Sequence, residues 1–117
     1  MIEGADPEHV GVIFDVGNNV WEGYADPRLT IALLGPYLHH VHLKNVRAAR
    51  SGDRWVHEWA PLAEGFLDVG DVLATLDRQR YSGWITIEDL SRDRTPTETL
   101  HFNATYLRGL ADRVRPR

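Results

Sequence analysis

Apolar positions fall in short runs separated by turn residues. Val10 to Asp15, "VGVIFD", is a brief apolar run closed by a carboxylate, the pattern of a buried strand. His39 to Lys44 and Trp84 to Asp89, "WITIED", predict two more strands. Helical signals stand between and after them. Asp26-Pro27 supplies an N-cap and a proline for the first helical position, Leu29, Ile31, Leu33 and Leu34 supply apolar residues, and Gly35-Pro36 stops the element. Asp68 opens a helix to about Arg80, with Val69, Val72, Leu73 and Leu76 on one face. Thr95-Pro96-Thr97-Glu98 has capping-box form and starts a last helix to about Val114, with Leu100, Tyr106, Leu107 and Leu110 as candidate core residues. The segment from about Asn45 to Leu67 reads as a long loop rich in Arg, Gly and Trp. Strand, helix, strand, helix, strand, helix implies an α/β fold with a parallel sheet.

In such sheets the carboxyl ends of the strands carry chemistry. Side chains alternate along a strand, which sorts the residues at those ends. Val12 and Phe14 share one face, Ile13 and Asp15 the other. Val41 and Leu43 oppose His40, His42 and Lys44. Ile85 and Ile87 oppose Trp84, Thr86 and Glu88. Each strand thus has an aliphatic face to pack under helices and a second face ending in a polar group. Asp15, His42 and Glu88 together form a mixed O/N ligand set suited to a divalent ion such as Mn, Mg, Co or Zn. A strand histidine is more often a hydrogen-bonded residue than a ligand. One polar group at each of three strand ends is what favours the metal reading. His40 lies on the same face but deeper, and is a candidate substrate contact. His39 should face the helices or solvent, and His9, His57 and His101 have no comparable pattern.

Composition narrows the function classes. The chain has 117 residues, 43% hydrophobic and 26% charged, with a formal net charge of -4. That suits one globular domain spanning residues 1–117 and gives no basic excess for nucleic acid. No apolar run reaches membrane-spanning length. The acidic start, "MIEGADPEHVG", has no apolar stretch of the kind a signal peptide needs. The absence of cysteine removes a disulfide framework and fits a cytoplasmic protein. The basic tail, "RVRPR", is expected to fray.

The segments "GVIFDVGN", "HHVHLKN", "APLAEGFLDVGDVLATL" and "YSGWITIED" resemble, in order, the closing part of the xylose-isomerase-like (β/α)8 barrels. That family includes sugar and sugar-phosphate isomerases and epimerases, inosose dehydratases and hydroxypyruvate isomerase, with endonuclease IV as a DNA-repair relative. The resemblance runs from about Val10 to Leu110. It implies a partial TIM barrel, the last three strand-helix units. It makes Asp15, His42 and Glu88 the metal ligands on the sixth, seventh and eighth strands, and Glu88 also the catalytic proton carrier. It places Lys44 near the substrate, a small sugar or sugar phosphate, and leaves Arg47 or Arg50 to hold a phosphate or hydroxyl.

Two features depart from the family pattern. Asp15-Val16-Gly17-Asn18 stands where Asp-x-x-His is common. Asn18 can hydrogen-bond a sugar hydroxyl but cannot replace an imidazole as base or as a usual metal ligand. This counts against a trinuclear zinc endonuclease, as does Trp55 two residues before His57. A full barrel takes roughly 250 residues, so the strands expected to carry the first glutamate ligand and the opposite wall are not in this sequence. The expected activity is therefore isomerase or epimerase chemistry, incomplete in this chain, with a keto-inositol dehydratase sharing its first step. A non-catalytic fragment or assembly module is the competing class. Either way, self-association or pairing with an N-terminal half-barrel is expected.

Overall fold

A computed structural model describes residues 4–23 and 25–114. The last three residues of the basic tail lie outside the described residues. The elements, in order, are β1 (Val12–Asp15), α1 (Val16–Trp21), α2 (Pro27–Leu34), a 3-10 turn (Gly35–Tyr37), β2 (Leu38–Leu43), β3 (Asn45–Ser51), β4 (Arg54–Ala60), α3 (Val69–Arg78), β5 (Trp84–Ile87) and α4 (Pro96–Val114). β1, β2 and β5 form a parallel sheet in that order. It is the open sheet of a partial TIM barrel, with consecutive units side by side as right-handed crossovers require.

The register lines up the alternating faces. Phe14, Val41 and Ile85 form one row; Asp15, His42 and Thr86 form the next. Phe14, Val41 and Leu43 are buried, in one cluster with Ile31, Val69, Val72, Leu76 and Leu110 from the helices. α3 packs against both α2 and α4, which closes the helical layer. On the opposite face Ile13 is 58% exposed and Trp84 80% exposed, as the alternation predicts for residues of a barrel interior.

The helix ends follow their capping chemistry. Asp26 and Asp68 accept from the backbone N–H groups of Arg28 and Asp71. Thr95 and Glu98 form the reciprocal capping box: the Thr95 amide donates to Glu98 at 3.0 Å, and the Glu98 amide reaches the Thr95 hydroxyl at 3.4 Å. Some apolar positions predicted for the core are not in it. Leu29, Leu33 and Leu100 are exposed at 57%, 77% and 63%. Each lies off the stripe of its helix that meets the sheet.

The largest correction concerns the expected loop. Asn45 to Ala60 is an antiparallel hairpin, with Asn45 opposite Ala60 and Ser51 opposite Arg54. Gly52 and Asp53 make the turn, and Gly52 has φ 60°, a left-handed value that favours glycine. Hairpin strands with one face toward solvent need no continuous apolar run, so arginines and polar residues masked the pattern. The structure also has a short helix, α1, that the sequence pattern does not predict. Asp15 caps it, accepting the Asn18 amide at 2.8 Å.

Two buried asparagines hold the return from the hairpin. Asn45 donates to the carbonyls of Leu62 and Leu67 and accepts from the amides of Val46 and Leu67. Asn103 accepts the Leu62 amide at 2.9 Å and donates to Asp89 at 2.6 Å. The loop after β4 is thereby tied both to the start of β3 and to α4.

Candidate functional site

Strand ends bring the candidate ligands together. Asp15 closes β1, His42 is the penultimate residue of β2, and Glu88 follows β5, where its amide donates to the Leu43 carbonyl at 3.0 Å. One ligand atom from each of Asp15, His42 and Glu88 lies within 4.8 Å of the others. His42 Nδ1 is 3.6 Å from Asp15 Oδ2 and 3.9 Å from Glu88 Oε2. Asp15 divides its work between two oxygens: Oδ1 caps α1, and Oδ2 faces the site.

Lys44 comes to the same point. Its Nζ is 3.0 Å from Asp15 Oδ2 and 2.5 Å from Glu88 Oε2, and 3.4 Å from the Asn18 side-chain oxygen. Lys44 is buried and lies over the Trp59 ring, 5.2 Å from its centroid. Burial works against the ammonium, but its hydrogen bonds to Glu88 and Asp15 outweigh that and hold the pKa above the ordinary lysine value. His40 sits two rows deeper on the same face, with Nε2 2.6 Å from the Thr86 hydroxyl and its ring edge-on to His42 at 5.0 Å. It braces the His42 ring from below.

A divalent cation fits this donor set. Two carboxylate oxygens and one imidazole nitrogen, hard to borderline donors, lie within 4.8 Å of one another, and the Lys44 ammonium already lies against both carboxylates.

Other predicted residues stand apart. Arg47 bonds Asp93 through two nitrogens at 2.8 and 3.1 Å and Glu58 at 2.7 Å. Those bonds, Asp93 first, raise its pKa. It is saturated by carboxylates rather than held open for an anion. Arg50 lies over Trp55 toward the far end of the hairpin. Sequence reasoning missed the aromatic group that the hairpin brings near Lys44: Trp21 and Trp59 are 5.4 Å apart, and Trp21 meets His57 edge-on at 5.4 Å. Spacing along the chain could not place them, because it is the cross-strand pairing of β3 with β4 that brings them together.

A family model for the xylose isomerase-like TIM barrel matches residues 1–110. The chain belongs to that family. Among solved structures, this xylose isomerase-like chain is similar to a xylose isomerase domain protein from Planctomyces limnophilus, with 24% identity and a TM-score of 0.77. It is also similar to a xylose isomerase-like TIM barrel protein from Mycobacterium smegmatis, in complex with magnesium, with 20% identity and a TM-score of 0.67. The alignments cover 97% and 90% of this chain but only 42% and 35% of those two. At these identities the likeness shows the fold alone. No curated protein matches the chain. No helix among the described residues is long and apolar enough to cross a membrane.

Proposed function

We propose that this chain carries the metal-holding and proton-transferring part of a sugar or sugar-phosphate isomerase or epimerase site. The observation that supports it is the meeting of Asp15, His42 and Glu88 within 4.8 Å at adjacent parallel strand ends. When bound, a divalent ion supplies Lewis-acid polarisation of a carbonyl and an adjacent hydroxyl. Asp15 and His42 hold it. Glu88 has the most exposed side chain of the three ligands, at 41%, and so can also reach substrate. It takes the proton from the carbon next to the carbonyl, leaving an enediolate, and returns it. Asn18 and His40 offer polar contacts to sugar hydroxyls on the same side, whereas Lys44, the other expected substrate contact, is buried with its ammonium on Asp15 and Glu88. A keto-inositol dehydratase would begin with the same proton removal. DNA repair has less support, since Lys44 and Arg47 are both spent on carboxylates. The absence of cysteine fits a cytoplasmic setting.

Titration calorimetry with Mn²⁺ or Co²⁺ tests the site. Binding is expected in the wild type and expected to disappear in His42→Ala and Glu88→Ala. Equal binding by all three proteins would show that these residues are not ligands.

A second reading is favoured by the exposed inner face, with Ile13 and Trp84 uncovered. On this reading the chain is an assembly module that acquires its remaining wall by pairing with a complementary half-barrel.

A further inference from the structure

We propose that Lys44 is a tethered cation that neutralises Asp15 and Glu88 when no metal is bound and must be displaced from them when one binds, so that this one side chain sets metal affinity. The inference rests on the metal reading above and deepens it.

The argument begins with which atoms are shared. Asp15 Oδ2 and Glu88 Oε2 are the oxygens that face His42 Nδ1. The same two oxygens hold the Lys44 ammonium. One pair of oxygens therefore serves two cations, and a divalent ion among them would stand against a like charge a few ångströms away. Without either cation Asp15, 15% exposed, and Glu88 would turn two negative charges toward the same point.

Lys44 is also built into place. Its side chain is only 7% exposed. Gly17 packs against its stem so closely that a Cβ at that position would lie 2.5 Å from Lys44 Cβ. The Trp59 face and the Asn18 oxygen flank the ammonium. Both are uncharged groups that can receive it when the carboxylate oxygens turn to a metal.

The choice of residue supports the same conclusion. Lys44 is the only lysine in the chain; of the 13 Lys and Arg residues, all others are arginine. A guanidinium would bind a carboxylate through a rigid fork. An ammonium is a compact charge on a flexible stem, which suits a cation that has to move aside.

The experiment compares the full chain with Lys44→Met and Lys44→Gln. Mn²⁺ affinity is measured by calorimetry, and thermal stability is measured without metal. Both variants should melt at lower temperature metal-free and yet bind Mn²⁺ at least about tenfold more tightly. Damage to packing alone would lower both quantities, so the opposed signs are the signature. Unchanged or weaker Mn²⁺ binding in a folded variant overturns the inference. The wild type provides a measurement that needs no variant. With labelled lysine it has a single side-chain ¹H–¹⁵Nζ signal, expected to be visible metal-free and lost to faster solvent exchange at Mg²⁺ saturation. A signal unchanged at saturation also overturns the inference. If metal binding is lost in His42→Ala but indifferent to Lys44, the site stands and only the role of Lys44 falls. If neither the wild type nor the Lys44 variants bind metal, the site reading fails and takes this one with it.

Discussion

Glu98 shows how much a single side chain can report. Its carboxylate accepts the Thr95 hydroxyl at 2.6 Å and the Thr95 amide at 3.0 Å. Those hydrogen bonds, the side-chain one first, lower its pKa below the ordinary glutamate value. For a carboxylate with a depressed pKa, the stabilisation is complete above the unfolded value and is lost as pH falls through the folded one. The Thr95 amide resonance should therefore titrate with a midpoint below 4.5, the ordinary value. A midpoint at or above that value would mean the capping box is open in solution. Gly17 makes a second residue-level case. Alanine there would drive a methyl into the Lys44 stem, and such overpacking costs about 1–3 kcal/mol. Urea denaturation of Gly17→Ala measures it; an unchanged midpoint would show that the Lys44 stem yields freely.

Elements whose residues obey one period were readable in the sequence; those that mix signals were not. Val41-His42-Leu43-Lys44 alternates cleanly, so both its buried face and its polar face could be assigned. Asp15, His42 and Glu88 were legible for the same reason. The hairpin was not, because Arg47, Arg50 and Arg54 resemble loop chemistry until their cross-strand partners are known; Arg47, for instance, faces Glu58. The asparagine ties were also hidden. Asn45 at a strand start and Asn103 inside a helix are poor choices locally, and that misfit was the available signal. Each is fully buried and bonded. Asn45→Leu strands two amides and two carbonyls that Asn45 now satisfies, so a loss of at least about 2 kcal/mol is expected in urea unfolding. Leu100→Ala, on an exposed site of α4, should change stability by no more than about 0.5 kcal/mol. Comparable losses for both would contradict the assignment of the ties.

At the scale of the whole molecule, β1 and β5 each keep an unpaired edge within the sheet, and the face bearing Ile13 and Trp84 is uncovered. Unpaired strand edges and exposed apolar faces seek partners. Light scattering on the purified chain should report a mass above that of one chain, and Ile13→Glu with Trp84→Glu should lower it. If the proposed site draws its second acid/base group from a partner wall, the same chain alone should turn over ketoses poorly even with Mn²⁺, since lacking one of two such groups removes a factor of about 10² to 10⁴. A stable monomer with ordinary turnover would show that the site needs no further wall. The hairpin adds a consequence in time. β3 and β4 meet across Gly52 and Asp53, whereas β2 finds β5 only after the chain from His40 to Trp84 has closed. Local hairpins form in about 1–10 μs, and distant parallel pairings come later. Asp15, His42 and Glu88 arrive at the ends of three separate strands, so during folding the candidate site is among the last parts of the molecule to exist.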